Sequence, residues 1–156
     1  MKILVIDHFP VMGMYISSIL SDQGYEVTAA YSARDGLEKF RLRRPDLVML
    51  EILLPDVPGC EVAQSIREET SETFLPLIFL TSLKDEFDLA TCLDAGGDDY
   101  ILKPFDRTLF EAKLRAWSRN ILLVRALQRR ERHGSSEPLM AVLTHEEMRE
   151  LMQGSK

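Results

Sequence analysis

The residues that could carry chemistry stand at the ends of short apolar runs. Leu47–Leu50 is apolar throughout and leads directly to Glu51, and Ile3–Ile6 leads to Asp7 and His8. Apolar runs of this length are typical of strands that are buried on both faces, which occur mostly in parallel sheets. Such sheets bind their ligands at the carboxyl ends of the strands. Glu51 is therefore predicted to lie at the edge of the sheet where this class of fold performs its chemistry.

Two later runs end in the same way, and helical patterns separate all of these strands. Residues 75–80 end at Thr81, and residues 100–102 lead to Lys103. Capping-box spacing at Ser32 and Asp35, at Ser82 and Asp85, and at Thr144 and Glu147 predicts three helix starts. Five strand and helix alternations favour an α/β fold with a parallel sheet, helices on both faces and right-handed crossovers.

Composition sets outer limits on the protein. The chain has 156 residues, of which 46% are hydrophobic, and this fits one globular domain with a short appendage. No apolar run approaches the roughly 20 residues that a membrane span needs, and the amino terminus has no signal-peptide pattern. We expect a cytoplasmic protein without membrane association. Cys60 and Cys92 have neither metal-ligand spacing nor a disulfide framework, so reduced, packed thiols are expected.

Charge is distributed unevenly along the chain. Residues 1–106 contain 9 basic and 19 acidic side chains, whereas residues 107–156 contain 10 basic and 6 acidic ones. A basic tail can bind nucleic acid or a membrane surface, but solvated arginines on a helix are the favoured interpretation. A helical pattern runs from Asp106 to about Arg132. The apolar residues between 121 and 127, all except Arg125, point in almost every direction, so some must meet a partner chain, a downstream domain or the folded-back tail.

Over about residues 1–120 the sequence resembles the receiver domain of two-component response regulators. The matching segments, in chain order, are ILVID at 3–7, GYEV at 24–27, PDLV at 45–48, LP at 54–55, LTS at 80–82, AGGDDY at 95–100 and KPF at 103–105. The resemblance implies a CheY-like, flavodoxin-like doubly wound domain with five parallel strands in the order 2-1-3-4-5. Residues 121–133 then extend the fifth helix. Residues 134–156 form a linker and a short helix, and this segment is a possible lead-in to an output domain.

The resemblance also assigns roles to the residues at the strand ends. Receivers accept a phosphoryl group from a histidine kinase on an aspartate after the third strand, and Glu51 takes that place. The family's adjacent acidic pair, which holds magnesium together with the acceptor, here reads Asp7-His8. Thr81 and Lys103 match the residues that contact the phosphoryl oxygens. Tyr100 matches the aromatic switch, and the peptide bond between Lys103 and Pro104 is expected to be cis.

Two of these three acidic positions therefore depart from the family pattern. Magnesium requires near-octahedral oxygen ligation, whereas His8 offers a nitrogen and Glu51 moves its carboxylate outward by one methylene. We expect no cofactor, and at most weak magnesium binding at Asp7. Phosphoryl transfer depends on positioning, and a misplacement of about 1 Å can cost on the order of 100-fold in rate. Efficient phosphorylation of Glu51 is not expected.

Several functional hypotheses remain open from the sequence. The favoured one is a pseudo-receiver, which is a protein-interaction module and not an enzyme. In one version Glu51 imitates a phosphorylated aspartate by pairing with Lys103 and drawing in Thr81. In the other version Glu51 is an inert residue in an ion pair with Lys103. The alternative is a magnesium-dependent phosphoacceptor that regulates an output domain. A third is a homodimerisation module in which the long helix supplies the interface, through Leu114, Trp117, Ile121 and Val124. The predicted partners are a histidine kinase, a downstream effector or a second copy of the chain, with no specific nucleic acid.

Overall fold

The computed structural model describes residues 1–71, 73–132, 134 and 138–153, and strands alternate with helices as predicted. The strands are β1 (Lys2–Ile6), β2 (Glu26–Ala30), β3 (Leu47–Glu51), β4 (Leu77–Thr81) and β5 (Asp99–Leu102). The helices are α1 (Pro10–Asp22), α2 (Ala33–Arg43), α3 (Gly59–Glu69), α4 (Glu86–Asp94), α5 (Arg107–Arg132), α6 (Leu139–Val142) and α7 (His145–Gln153).

All five strands are parallel, and their order in the sheet is β2-β1-β3-β4-β5, which confirms the predicted topology. Every residue of β3 and β4 is buried, as expected for apolar strands covered on both faces. The core joins these strands to the inner faces of α2, α3 and α4. Its largest members include Leu4, Leu50, Ile66 and Phe79. Because β1, β3 and β4 are buried, the positions of the residues at their carboxyl ends are fixed by the core.

The predicted helix starts were right at α2 and α7 and wrong at α4. Ser32 caps α2 by accepting a hydrogen bond from the Asp35 amide at 3.2 Å. Helix α4 begins only at Glu86, so Ser82 lies in the preceding loop. There the Asp85 carboxylate accepts a hydrogen bond from the Asp88 amide at 3.2 Å. The helix starts late because Asp85 is itself a good cap, and Ser82 is not needed for that role.

Two compact units divide the chain, residues 1–105 and residues 106–156. In the second unit α6 and α7 both contact α5, so the tail folds back on the long helix. Arg129 pairs with Glu147 at 2.7 Å. Thr144 and Glu147 form the predicted capping box, with each side chain bonded to the other's amide. Burial alone would raise the pKa of Glu147, but the Thr144 amide and Arg129 outweigh it and hold that pKa below its usual value.

Part of the predicted carboxyl-terminal organisation lies outside the described residues. The proposed linker at 134–138 is described only at Gly134 and Pro138, and His133, the last residue of the proposed helix extension, is not described. Within the described part of the chain, no helix combines the length and the apolar character that crossing a membrane requires.

The expectation of two reduced cysteines was wrong, because Cys60 and Cys92 form a disulfide. Cys60 lies on α3 and Cys92 on α4, and their Cα atoms are 5.1 Å apart. The two residues are 32 positions apart in sequence. Their proximity arises because α3 and α4 are packed side by side, which the spacing of the cysteines does not reveal.

Candidate functional site

Four predicted site residues meet at one edge of the sheet because their strands are neighbours. Asp7 follows β1, Glu51 ends β3, Thr81 ends β4 and Lys103 follows β5. In the sheet Glu51 is level with Leu80, and Thr81 is level with Leu102. The parallel arrangement therefore delivers two carboxylates, a hydroxyl and an ammonium group to the same pocket.

Lys103 bridges the two carboxylates of this pocket. Its Nζ lies 2.6 Å from Asp7 Oδ2 and 2.5 Å from Glu51 Oε2. The side chains of Lys103, Asp7 and Glu51 are 9%, 0% and 2% exposed, so the three charges meet away from water. Charges buried to this degree need partners, and here one ammonium serves both carboxylates.

The remaining carboxylate oxygens are held by backbone amides of the adjoining loops. Asp7 Oδ1 accepts a hydrogen bond from the Phe9 amide at 2.9 Å, and Glu51 Oε1 accepts one from the Leu53 amide at 3.0 Å. Together with the Lys103 contacts, all four oxygens of Asp7 and Glu51 have a donor. Both carboxylates are therefore fixed in orientation by the chain itself.

Two further predicted site residues are Thr81, which is bonded to Lys103 through the backbone, and Tyr100. Thr81 is buried, and its Oγ1 accepts a hydrogen bond from the Leu83 amide at 3.1 Å, within its own loop. The Thr81 carbonyl accepts a second hydrogen bond from the Lys103 amide at 2.7 Å. Tyr100 is partly buried and packs against the core. The bond between Lys103 and Pro104 is cis, as the resemblance implied.

His8 occupies the remaining acidic position without completing a set of oxygen ligands. Its ring centroid lies 3.9 Å from that of Phe9. Its Nδ1 atom is buried and has no hydrogen-bond partner among the described residues. A ring nitrogen is a poorer ligand for magnesium than a carboxylate oxygen.

The residues present do not fit the magnesium ion that the fold family implies. Both oxygens of Asp7 and both of Glu51 are already engaged, two of them by the Lys103 ammonium. A metal cation at this site would be repelled by the positive charge of the Lys103 ammonium and would have to displace it from both carboxylates. Among the residues that the structure describes, no three His, Cys, Asp or Glu side chains are grouped to hold a metal. Weak magnesium binding at Asp7 stays a prediction.

Gly59 packs closely against the backbone of Glu51 and Ile52, a role that the sequence analysis did not predict. Its amide donates to the Ile52 carbonyl at 2.8 Å. A Cβ atom at this position would lie 2.3 Å from the Glu51 carbonyl oxygen and 2.7 Å from the Ile52 Cα. Only glycine allows α3 to begin so close to the end of β3. Gly59 directly after Pro58 was visible in the sequence, but only as a turn signal.

Asp56 is a second residue whose role was not apparent from the sequence. From the loop after β3, its carboxylate accepts hydrogen bonds from the Ala33 and Arg34 amides, at 2.9 and 3.0 Å, at the start of α2. Burial alone would raise the pKa of Asp56, but these backbone hydrogen bonds outweigh it and keep that pKa below the usual value. The loop that leaves Glu51 is thus tied to α2.

Asp56→Ala should lower the free energy of unfolding by about 1 kcal/mol at neutral pH, the usual cost of losing a helix cap. A lowered folded-state pKa means that the stabilisation is present above the unfolded value, near 3.9, and is lost as the pH falls through the folded value. Urea unfolding of both proteins at pH 6 and at about pH 3.5 measures this. The difference in free energy of unfolding between the wild type and Asp56→Ala should be smaller at the lower pH. An equal difference at both pH values would contradict the capping role.

The four predicted interface residues lie on α5, in the second unit. Leu114 and Ile121 are buried within the single chain, whereas Trp117 and Val124 are partly exposed. Sequence periodicity placed all four on a helix correctly. It did not distinguish those that pack within the chain from those that reach the surface.

A doubly wound parallel sheet with carboxylates and a lysine at its carboxyl edge defines a receiver-type signalling domain. The sequence model of the family described as the response regulator receiver domain matches residues 3–115. The chain belongs to this family, and it is a receiver domain of a response regulator in two-component signalling.

Curated relatives and solved structures agree with this assignment. The transcriptional regulatory protein DltR of Streptococcus agalactiae is 39% identical over 83% of this chain and 57% of its own length. AfsQ1 of Streptomyces coelicolor is 36% identical over 74% of this chain and 50% of its own. The chain thus spans about half the length of these relatives. A two-component response regulator from Clostridium difficile superimposes with a TM-score of 0.70 at 30% identity, over 74% of this chain and 93% of its own.

A receiver crystallised in an activated form has a similar fold. It is the BeF3-activated N-terminal receiver domain of RstA from Klebsiella pneumoniae. The superposition has a TM-score of 0.69 at 28% identity and covers 74% of this chain and 97% of that one. The fold of that activated receiver is therefore shared by the superimposed part of this chain.

Proposed function

We propose that this chain is a pseudo-receiver, which signals through protein contacts without phosphorylation of Glu51. The observation that carries the proposal is the Lys103 bridge, in which one buried ammonium contacts both Asp7 and Glu51. This arrangement puts a positive charge between the carboxylates that would otherwise share a magnesium ion. Phosphoryl transfer needs both metal charge and an accurately placed acceptor, and this pocket offers neither.

Of the two roles predicted for Glu51, the contacts support that of a fixed counter-ion for Lys103. A role like that of a phosphorylated aspartate would require Glu51 to draw in the Thr81 hydroxyl. Instead, Thr81 Oγ1 accepts a hydrogen bond from the Leu83 amide in its own loop. A carboxylate also has less charge and fewer acceptor oxygens than a phosphoryl group. The pocket therefore holds one state that does not depend on a kinase.

The proposed partner is a protein that docks beside the pocket. Four large apolar side chains near the start of α1 are well exposed: Phe9 (57%), Val11 (81%), Met14 (66%) and Tyr15 (47%). Exposed apolar groups at this density are typical of protein interaction surfaces. A histidine kinase or a downstream effector fits this surface, and we place the function in the cytoplasm. Residues 1–156 are proposed to bind no specific nucleic acid, although the relatives are named as transcriptional regulators.

Calorimetric titration with magnesium and beryllofluoride, a phosphoryl mimic, tests the proposal. The wild type should give no heat of binding, because Lys103 occupies both carboxylates. The variant that combines Glu51→Asp with His8→Asp should bind, since it restores the acceptor and the second hard oxygen ligand. Glu51→Asp alone is the matched control, and it separates the acceptor from the metal ligand. Binding by the wild type would contradict the pseudo-receiver and restore a regulated phosphoacceptor.

Homodimerisation through α5 is a second candidate. Trp117, Val124 and Leu127 recur at helical spacing, and Leu127 is 43% exposed while the other two are partly exposed. Such a stripe supports a helical seam between two copies. Light scattering should detect a dimer of the wild type. Leu127→Glu should dissociate this dimer, whereas Glu51→Ala should leave it intact. A monomeric wild type would remove this candidate.

A further inference from the structure

The disulfide joins the two segments that leave the pocket. Cys60 is the second residue of α3 and follows Gly59, which packs on the Glu51 carbonyl. Cys92 lies on α4, which the chain reaches from Thr81 through the loop 82–85. The bond therefore connects the segment after Glu51 to the segment after Thr81.

Among the described side chains of helix α4, few are buried against the rest of the first unit. The helix is nine residues long, and among its described side chains only Leu89 and Cys92 are buried, at 5% and 4% exposure. Gly96 lies just beyond the end of α4, and its carbonyl accepts a hydrogen bond from the Arg67 guanidinium at 2.7 Å. The disulfide thus holds the last third of α4, Leu89 packs in the core from its first half, and Arg67 holds the chain after the helix. The disulfide is a covalent link between α3 and α4, so its reduction leaves α4 held only by noncovalent contacts such as the packing of Leu89 in the core.

The two half-cystines differ in their access to solvent. Cys92 is buried, whereas Cys60 is only partly buried at the edge of the core. A thiolate from solution therefore reaches Cys60 Sγ first, and Cys92 is the leaving group. Disulfides in reducing compartments are in most cases transient or redox-sensing, not permanent staples. A partly exposed disulfide across a weakly attached helix has the features of that group.

We propose that Cys60–Cys92 is a reversible redox modification site that controls the attachment of α4, with a low-molecular-weight thiol such as glutathione as its co-substrate. One glutathione thiolate attacks Cys60 Sγ, and a mixed disulfide forms as Cys92 leaves as a thiolate and takes up a proton. A second glutathione thiolate attacks the glutathione sulfur of that mixed disulfide. Cys60 leaves as a thiolate and takes up a proton, and two electrons have passed from two glutathiones to the protein, which leaves one oxidised glutathione.

Reduction should loosen α4 and the loop before it while the sheet stays intact. The Leu83 amide, which donates to Thr81 Oγ1, lies in the loosened segment, so the redox state also reaches the pocket residue Thr81. This proposal does not depend on the role of Glu51. It uses the cytoplasmic location proposed above only to supply the reductant.

Hydrogen exchange read by mass spectrometry on the full chain tests the proposal, without magnesium or beryllofluoride. Aerobically purified protein should contain no free thiols, and millimolar reduced glutathione should convert it to the dithiol form. Amides of residues 83–92 should then exchange about tenfold faster. Residues 11–22 of α1 and residues 95–98 beside Arg67 should keep their rates. Oxidised glutathione should restore the slow exchange.

The variant that combines Cys60→Ser with Cys92→Ser is the matched control. It should show the fast exchange of reduced wild type in both buffers, because it cannot form the bond. Three results would each overturn the proposal: free thiols after aerobic purification, a disulfide that resists glutathione, or equal α4 exchange in the two redox states. The wild-type comparison needs no substitution, so a variant that fails to fold does not affect it. Failure of the pseudo-receiver proposal would appear only in the beryllofluoride titration.

Discussion

Lys103→Met should lower the free energy of unfolding by about 3–5 kcal/mol at neutral pH, the range seen when one partner of a buried ion pair is removed. The substitution keeps much of the side-chain volume but removes the only cation that contacts the Asp7 and Glu51 carboxylates among the described residues. Both carboxylates are almost completely buried, so water cannot replace the ammonium. Urea unfolding followed by circular dichroism measures the loss.

Lys39→Met is the matched control for this substitution. Lys39 pairs with Asp35 at 2.9 Å, but their side chains are 33% and 35% exposed. A surface pair of this kind contributes at most about 1 kcal/mol, so the same chemical change should have a small effect there. Adding Glu51→Gln to Lys103→Met should recover part of the loss, because it removes one of the two stranded charges. If Lys103→Met were no more harmful than Lys39→Met, the Lys103 bridge would not be the organising contact of the pocket.

Gly59→Ala should lower the free energy of unfolding by about 3 kcal/mol, at the upper end of overpacking costs. The new Cβ atom would lie 2.3 Å from the Glu51 carbonyl oxygen and 2.7 Å from the Ile52 Cα. Both contacts are with backbone, so no side chain can rotate away to relieve them. The loop 52–58 or the start of α3 must move, and Glu51 moves with it. Urea unfolding reports the loss, and nuclear magnetic resonance shifts of residues 51–53 report the displacement.

Gly13→Ala separates this effect from a general intolerance of alanine. Gly13 lies within α1, and its added Cβ would meet only the Tyr31 ring at 3.4 Å, an ordinary contact. Alanine is favoured over glycine inside a helix by roughly 0.5–1 kcal/mol, so this variant should be as stable as the wild type or slightly more stable. A Gly59→Ala protein that matched Gly13→Ala in stability would show that the start of α3 tolerates a shift.

Local sequence was sufficient for most of the fold. The apolar runs at 3–6 and 47–50 are too short for helices, and they became buried parallel strands. Their order in the sheet followed from the family resemblance. Capping pairs such as Ser32 with Asp35 and Thr144 with Glu147 were predictable because the interacting residues are three positions apart. The long helix from about 106 to 132 was equally visible, as it depends on periodicity alone.

The sequence also identified which residues reach the pocket, but it left their contacts open. Asp7, Glu51, Thr81 and Lys103 each end or follow an apolar strand, so parallel pairing must bring them to one edge. Pattern alone did not establish that Lys103 would contact both carboxylates, because that depends on side-chain positions. Likewise, the engagement of the Thr81 hydroxyl by Leu83 is set by the loop conformation. The sequence therefore indicated which residues lie in the pocket, but it did not indicate which contacts they make with one another.

Contacts between distant segments were decided only by the tertiary structure. Asp56 caps α2 from 22 and 23 residues away, and Cys60 meets Cys92 from 32 residues away. Burial of Leu114 and Ile121, against the partial exposure of Trp117 and Val124, is likewise a property of the folded chain. Strands and caps obey short-range periodicity and steric rules, which a sequence displays directly. A disulfide or a remote cap requires two segments to meet at a specific angle and distance, and only the packing of the whole unit fixes these.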